Sequence, residues 1–212
     1  MADDKAIKMT QKLSIIIIAI LATITGLYPS IYLFMDRQFG LLSSKSNALL
    51  ENTFWNIAFY THIFLGGIAL LIGWIQFNSK LRLKNLSAHR TIGKIYVACV
   101  IPSSVASIGL SIFATGGLIP SLGFFCLGII WLTTTLLAYV NIRNRRIDQH
   151  RKLMIYSYAA CFAAVTLRLY LPLLTSALND FIIAYSIVAW LCWVPNLAVA
   201  YLIVRKLGPY RT

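Results

Sequence analysis

The sequence has little charge for its length, and acidic residues are the scarcest. Only 12% of its 212 residues are charged while 59% are hydrophobic, and Asp and Glu together number six. A soluble domain of average composition is about 25% charged and about 45–50% apolar. Because one soluble core cannot bury such a surplus of apolar residues, the composition predicts a membrane protein.

The sequence also lacks the short motifs of several enzyme classes. It has no Walker loop, no nucleophile elbow and no dinucleotide-binding fingerprint. Its four cysteines lie inside apolar segments without CxxC or CxxCH spacing; they are Cys99, Cys126, Cys161 and Cys192. This pattern predicts reduced, buried thiols and argues against a disulfide framework, a thiolate metal site and covalent haem attachment. Motifs therefore leave open whether the protein is an enzyme.

The net charge of +13 is spread in short basic runs between long apolar segments. A nucleic-acid-binding domain instead gathers its basic residues on one folded face. Basic runs between apolar segments are typical of cytoplasmic loops that face anionic lipid. We therefore predict contact with the bilayer and no nucleic-acid partner.

Six apolar segments are long enough to cross the hydrocarbon core, which takes a helix of about 20 residues. They cover approximately residues 13–35, 53–77, 91–114, 120–141, 153–174 and 181–204. The first is too long for the apolar part of a signal peptide and is not followed by a cleavage site, so we expect it to be retained. The sequence predicts an all-α bundle of six transmembrane helices in a single membrane domain, residues 1–212.

The basic residues predict the orientation of the bundle. With the N-terminus inside, sixteen of the nineteen Lys and Arg residues lie at the inner side. Arg37 and Lys45 lie outside, and Arg168 lies within a helix. The positive-inside rule therefore predicts that both termini are cytoplasmic.

Arg168 is the most costly of the residues placed in the membrane. An arginine at the centre of a membrane helix costs about 2.5–3.5 kcal/mol on insertion scales. Its position near the outer end of the fifth segment permits it to snorkel to the surface. Otherwise it needs an anion, which is either a loop carboxylate (Asp36, Glu51 or Asp180) or part of a ligand, lipid or cofactor.

His62, in the outer half of the second segment, shares one helical face with Gly66, Ala69 and Gly73. A histidine above small residues leaves room for a flat ligand. The same small residues also allow a neighbouring helix to approach closely. The sequence leaves both interpretations open.

His89 and His150 lie at the inner ends of the third and fifth segments, each followed by an arginine. Each begins a stripe of small or polar residues on its helix. The two stripes are Gly93, Tyr96, Ser103, Ser107 and Ser111, and Met154, Ser157, Cys161, Ala164 and Arg168. Such stripes are expected to face the bundle interior, although both histidines also suit an interface with lipid headgroups.

Two converging histidines are too few for a zinc site but are the right number for the axial ligands of a b-type haem. His62 is too far away to join them. The neighbouring Arg90 and Arg151 suit the haem propionates. The sequence thus predicts a haem site at His89 and His150, with no other metal.

Three stretches carry a resemblance to a known family. They are HIFLGGIALLIGWIQF, HRTIGKIY and HRKLMIYSYAACFAAVTLRLYLP, within residues 55–175. They resemble the bacterial membrane proteins grouped as domain of unknown function 2306. The sequence departs from that pattern at two positions. The family often has a Trp where this chain has Leu153, and a basic residue where this chain has Tyr156.

The resemblance implies a multi-pass protein of the bacterial cytoplasmic membrane. It also implies that His62, His89, His150 and Arg168 occupy the polar positions of the family. A looser similarity is to the cytochrome b-561 class, six-helix proteins that bind two haems through histidines on four central helices. Here the fourth segment has no histidine, so the similarity implies one haem at most.

Three functions remain open on the sequence. The first is electron transfer through a b-type haem, with a quinone or an inner-side donor as partner and an outer ligand site at His62, Arg168, Ser107 and Cys161. The second is a transporter or receptor that binds a small anionic ligand through Arg168. The third is a non-catalytic accessory subunit of a larger membrane complex.

Overall fold

The computed structural model describes residues 2–35 and 39–208, and this part of the chain forms helices joined by short turns, without a strand. Its α-helices are α1 (Ala2–Leu27), α2 (Asn47–Glu51), α3 (Thr53–Gly73), α4 (Ser79–Lys84), α5 (Leu86–Ser111), α6 (Leu118–Arg143), α7 (Ile147–Cys161), α8 (Ala163–Leu178), α9 (Phe181–Leu191) and α10 (Val194–Arg205). Three 3₁₀ segments cover Tyr28–Leu33, Gly40–Ser44 and Trp74–Phe77.

Six stretches of this helical chain are long and apolar enough to cross a membrane. In chain order, these first to sixth spans are Leu13–Leu33, Thr53–Phe77, Leu86–Ser111, Leu118–Arg143, Ile147–Leu178 and Phe181–Arg205. The prediction of an all-α protein with six membrane-spanning helices is confirmed. We call the end of the bundle that carries α4 and the turn after α6 the basic end.

Two spans begin earlier along the chain than the sequence indicated. The third begins at Leu86 instead of residue 91, because the Asn85 side chain accepts a hydrogen bond from the Ala88 amide at 2.9 Å and caps the helix. The fifth begins at Ile147 instead of residue 153. His89 and His150 therefore both lie in the second turn of a long helix, and Asp148 lies in the first turn of α7.

Only one of the two helix breaks described within the spans lies beside a proline. Pro102 lies inside the uninterrupted helix α5, whereas the sixth span breaks just before Pro195, between α9 and α10. The fifth span is divided at Phe162 without any proline. At the break in the sixth span, the Cys192 carbonyl accepts hydrogen bonds from Asn196, at 3.0 Å, and from Thr166. These side chains satisfy a backbone group that water cannot reach in a bilayer.

The spans pack as a bundle, and all six contribute residues to its interior. The third span packs on the second and fourth, the fifth on the fourth and sixth, and the first on the second and fifth. The largest fully buried side chains include Tyr96, Leu70 and Val100. Most large apolar residues at the periphery remain exposed, as expected for helices that face lipid.

The two polar stripes predicted on the third and fifth spans meet at the centre of the bundle. The Tyr96 hydroxyl lies 2.9 Å from Ser157 Oγ, which lies 2.7 Å from Thr135 Oγ1. Thr135 donates to the Trp131 carbonyl at 2.7 Å, so Ser157 donates to Thr135 and Tyr96 donates to Ser157. This chain of hydrogen bonds joins the third, fourth and fifth spans.

Replacement of Ser157 by Ala should destabilise the bundle by about 1–2 kcal/mol, because it removes two hydrogen bonds between spans. Ser104→Ala is the matched control, since Ser104 is also 0% exposed but donates only to the Ile101 carbonyl of its own helix. Thermal unfolding in mild detergent measures both variants. Equal midpoints for the two would contradict the importance of the Tyr96–Ser157–Thr135 chain.

Candidate functional site

A cavity of about 250 Å³ lies between the spans, in the half of the bundle away from the basic end. Its wall is mostly apolar and aromatic. The polar and sulfur-containing side chains on the wall are those of Arg168, Lys45, His62, Ser107, Ser111, Thr25 and Cys161, with the hydroxyl or indole groups of Tyr32, Tyr185, Trp55 and Trp131. Among the described residues, no Asp or Glu lines the cavity.

Arg168 lies on this wall with its guanidinium group only partly satisfied. Nη1 donates a hydrogen bond to the Ala164 carbonyl at 2.9 Å, and the guanidinium carbon lies 4.6 Å from the centre of the Tyr28 ring. Nε is buried and has no hydrogen-bond partner among the described residues. The guanidinium on the cavity wall therefore has a buried N–H donor without a described partner.

The carboxylates proposed as partners of Arg168 do not fill that role where the structure describes them. The Asp180 side chain accepts a hydrogen bond from the Ile183 amide at 3.0 Å and caps α9. Glu51 ends α2 and is exposed. Asp36 lies outside the described residues. Within the described chain, the anion expected for Arg168 is thus not a carboxylate side chain.

Lys45 is a site residue that the sequence did not indicate. Its ammonium group donates to the Phe113 carbonyl at 2.5 Å and to Thr115 Oγ1 at 2.9 Å. The neighbouring Ser44 hydroxyl lies 2.9 Å from the same Thr115 oxygen. These bonds fix residues 39–52, which we call the lid segment, to the turn between α5 and α6, so that Leu42 and Lys45 close one side of the cavity.

The free energy of unfolding should depend on pH in the alkaline range because of the buried Lys45. Burial lowers the pKa of Lys45 below its ordinary value of 10.5. Between the lowered pKa and 10.5, the unfolded chain binds more protons than the folded chain, so the free energy of unfolding should rise with pH in that interval. Thermal midpoints in detergent should show this slope in the wild type and in Lys206→Met, whose residue is exposed. Lys45→Met should flatten the slope; an unchanged slope would contradict this prediction.

His62 also lines the cavity and is held against the third span. Its Nδ1 donates to the Ser103 carbonyl at 3.1 Å, and Ser103 Oγ donates to the His62 carbonyl at 2.9 Å. The ring lies edge-on to Trp131, with centroids 6.4 Å apart. The imidazole is therefore oriented with Nε2 as its remaining polar atom.

The small residues below His62 serve close helix packing. A Cβ atom on Gly66 would lie 3.1 Å from Ser103 Oγ, and one on Gly73 would lie 2.5 Å from the Tyr158 ring. Neighbouring helices thus pack closely against Gly73 and Gly66, and Gly66 also lines the cavity. The open space lies beside Gly66, toward Arg168 on the fifth span.

The four residues predicted to form the outer ligand site share this one cavity. Ser107 and Cys161 line the wall together with His62 and Arg168. Ser107 donates to the Ser104 carbonyl at 2.8 Å, and the Cys161 side chain is buried. The groups expected to contact the polar part of a ligand are therefore those of Arg168, His62 and Lys45.

His89 and His150 lie apart from the cavity, at the basic end, and close enough for their charges to interact. His150 Nδ1 donates to the Ala138 carbonyl at 2.9 Å, which leaves Nε2 available. His89 Nδ1 is buried without a hydrogen-bond partner among the described residues. Arg90 is exposed and Arg151 is half-buried. The described residues contain no group of three or more His, Cys, Asp or Glu suited to a metal ion.

Comparison with known proteins gives one match. A family model described as "Predicted membrane protein (DUF2306)" matches residues 59–204, more than half of the chain. The matched region contains His62, His89, His150 and Arg168 but not Lys45. No curated protein and no solved structure matches the chain.

Proposed function

Because the chain belongs to the DUF2306 family of predicted membrane proteins, whose description names no activity, we propose a function from the cavity. The protein is an integral membrane receptor or transporter that binds a small anionic ligand in the half of the bundle away from the basic end. Arg168 is the residue that binds the ligand's charge.

The observation that carries this proposal is the incomplete coordination of Arg168. Its Nε is buried without a hydrogen-bond partner among the described residues, and its neighbours are the Ala164 carbonyl, the ring of Tyr28 and the side chain of Tyr32. A charged arginine in a membrane span is costly, and such residues commonly mark ligand or ion pathways. An anion in the cavity would offset that cost by pairing with the guanidinium group.

The charge of the cavity wall supports an anion over a cation. Arg168 and Lys45 are its charged side chains, and the described wall includes no carboxylate. A cationic ligand would meet two positive groups in a setting of low dielectric, where like charges repel strongly. The aromatic and aliphatic remainder of the wall suits the uncharged part of an organic anion.

The orientation of the chain is part of the same proposal. In the sequence, sixteen of nineteen basic residues fall in the segments expected at the inner side, which include α4 and the turn after α6. This distribution favours a cytoplasmic location for the basic end and for both termini. In a bacterial cytoplasmic membrane, the cavity then lies in the outer half of the bilayer. Its ligand would arrive from the periplasmic side, beneath the lid segment.

Ligand-induced thermal stabilisation tests the binding of anions. The full chain, in nanodiscs of zwitterionic lipid, is heated with a panel of inorganic and organic anions at equal ionic strength. We expect at least one anion to raise the midpoint in a saturable manner, and Arg168→Gln to abolish the shift. Equal shifts in the wild type and Arg168→Gln, or none with any anion, would reject the proposal and favour an accessory subunit of a membrane complex.

A second function is proposed for the histidine pair at the basic end. His150 donates Nδ1–H to a backbone carbonyl, which is the arrangement that orients a metal-binding imidazole. His89 lies near it with its own Nδ1 unsatisfied. His89 and His150 would supply the axial ligands of a b-type haem, and Arg90 and Arg151 would be available for its propionates. The haem would supply one-electron transfer, with a quinone or a donor at the basic end as partner.

An absorption spectrum tests the haem proposal. The protein purified in detergent should show a Soret band, with α and β bands after reduction by dithionite. His89→Ala and His150→Ala should each remove these bands, while His62→Ala, a histidine on the cavity wall, should keep them. A flat visible spectrum after expression with haem supplied would reject this function and leave the anion site untouched.

A further inference from the structure

We infer that the ligand of the cavity is an amphipathic monocarboxylate, a single carboxylate group on an apolar tail, with the carboxylate on Arg168 and the tail toward the middle of the bundle. This inference rests on the proposed anion site and names its chemical class. Three features support it: the buried N–H group of Arg168 that has no described partner, the charged side chains of the cavity wall, and the apolar residues along its deeper part.

The guanidinium of Arg168 presents one particular edge. Nη1 is bonded to the Ala164 carbonyl, and the ring of Tyr28 covers one face of the group. The unsatisfied Nε lies on the edge that it shares with Nη2. Two parallel N–H groups on one edge of an arginine match the two oxygens of a carboxylate, and this bidentate pairing is short and strongly oriented.

Arg168 is the charged side chain of the described wall that has a buried N–H group without a partner. The ammonium group of Lys45 is already bonded to the Phe113 carbonyl and Thr115 Oγ1, in the contacts that fix the lid segment. A monocarboxylate therefore neutralises Arg168 one to one. A phosphate monoester presents three strong acceptor oxygens, which need more donors than this one edge of Arg168 supplies.

The charged side chains of the cavity wall, Lys45 and Arg168, lie in the half of the bundle away from the basic end. On the fifth span the cavity runs from Arg168 to Ala160, eight residues along the helix, or roughly 12 Å. The wall along this stretch includes Cys161 and the indole of Trp131, and its other side chains are mainly apolar or glycine: Ile63, Gly66, Leu70, Leu127, Ala163 and Ala164. No charged residue of the described wall lies in this deeper part, so it suits an aliphatic or aromatic tail and disfavours a second charge.

Calorimetric titration in nanodiscs of zwitterionic lipid tests this class with four probes: octanoate, octyl phosphate, 1-octanol and acetate. The heat from empty nanodiscs is subtracted to correct for partition into lipid. We expect saturable binding of octanoate, and affinities at least tenfold lower for the other three probes. Arg168→Gln should abolish octanoate binding. Arg143→Gln, which removes an exposed arginine at the basic end, should leave it unchanged.

The outcomes separate this inference from the proposed function. Equal binding of octyl phosphate and octanoate, both lost in Arg168→Gln, would overturn the monocarboxylate and retain the anion site. Equal binding of acetate would overturn the tail in the same way. Octanol binding equal to that of octanoate, unchanged in Arg168→Gln, would overturn the role of Arg168 in recognising the headgroup. Failure of octanoate together with every anion of the thermal panel would overturn both proposals.

Discussion

Arg168→Met should abolish high-affinity anion binding and, at the same time, stabilise the ligand-free protein. Breaking a buried charge pair by removing one partner costs about 3–5 kcal/mol, which corresponds to a loss of affinity of about two to four orders of magnitude. Without ligand, Met removes the cost of holding a guanidinium group within a membrane span. The substitution also removes the hydrogen bond to the Ala164 carbonyl and the contact with the Tyr28 ring.

The opposite signs of these two effects distinguish a ligand site from a structural arginine. Residues kept for function commonly reduce stability, whereas a structural arginine stabilises the protein in the absence of ligand. Thermal midpoints without ligand and titrations with octanoate, made on the same preparations, measure both effects. A fall in the ligand-free midpoint of Arg168→Met would show that the contacts with Ala164 and Tyr28 are the main role of the residue.

Arg168→Lys is the matched variant, because it keeps the charge and removes the two-donor edge. An ammonium group is a point charge without the planar pair of N–H groups that a carboxylate accepts. We expect this variant to bind more weakly than the wild type and more strongly than Arg168→Met. Wild-type affinity in Arg168→Lys would show that charge alone accounts for binding.

The residues that were predicted for the cavity are those whose placement in a membrane has a cost. Arg168 was indicated by its charge within an apolar segment, and Ser107 and Cys161 by their position on polar stripes. Those stripes do face the interior, as the contact between Tyr96 and Ser157 shows. Lys45 gave no such signal, because a lysine in a short polar segment normally lies in water. Its role depends on contacts with Phe113 and Thr115, about seventy residues away.

The number of spans followed directly from composition, but their internal geometry did not. Each apolar segment is long enough to identify a helix, and caps such as Asn85 then set the true first residue. The break at Phe162 has no proline or glycine beside it, so local sequence gave no indication of it. The break depends on packing against the sixth span, where Asn196 of α10 donates to the Ala159 carbonyl at 3.3 Å.

Gly67→Ala should displace the first span from the second. A Cβ atom at residue 67 would lie 2.7 Å from the Gly26 carbonyl oxygen and 3.2 Å from Pro29 Cγ. The first of these is backbone, so no side-chain rotation relieves the clash and the helices must separate. Extra volume in a well-packed interface costs about 1–3 kcal/mol. We expect a clear fall in the thermal midpoint measured in detergent.

The same displacement should weaken ligand binding, because Gly67 and Pro29 both line the cavity. Movement of the first span also shifts Tyr28, which covers the guanidinium of Arg168, so octanoate affinity should fall together with stability. Gly109→Ala is the control, since no atom lies within 4 Å of its Cβ position; replacing glycine within a helix there should be neutral or slightly stabilising. Wild-type stability in Gly67→Ala would contradict this prediction, because it would mean that the first span does not pack tightly against the second at this point.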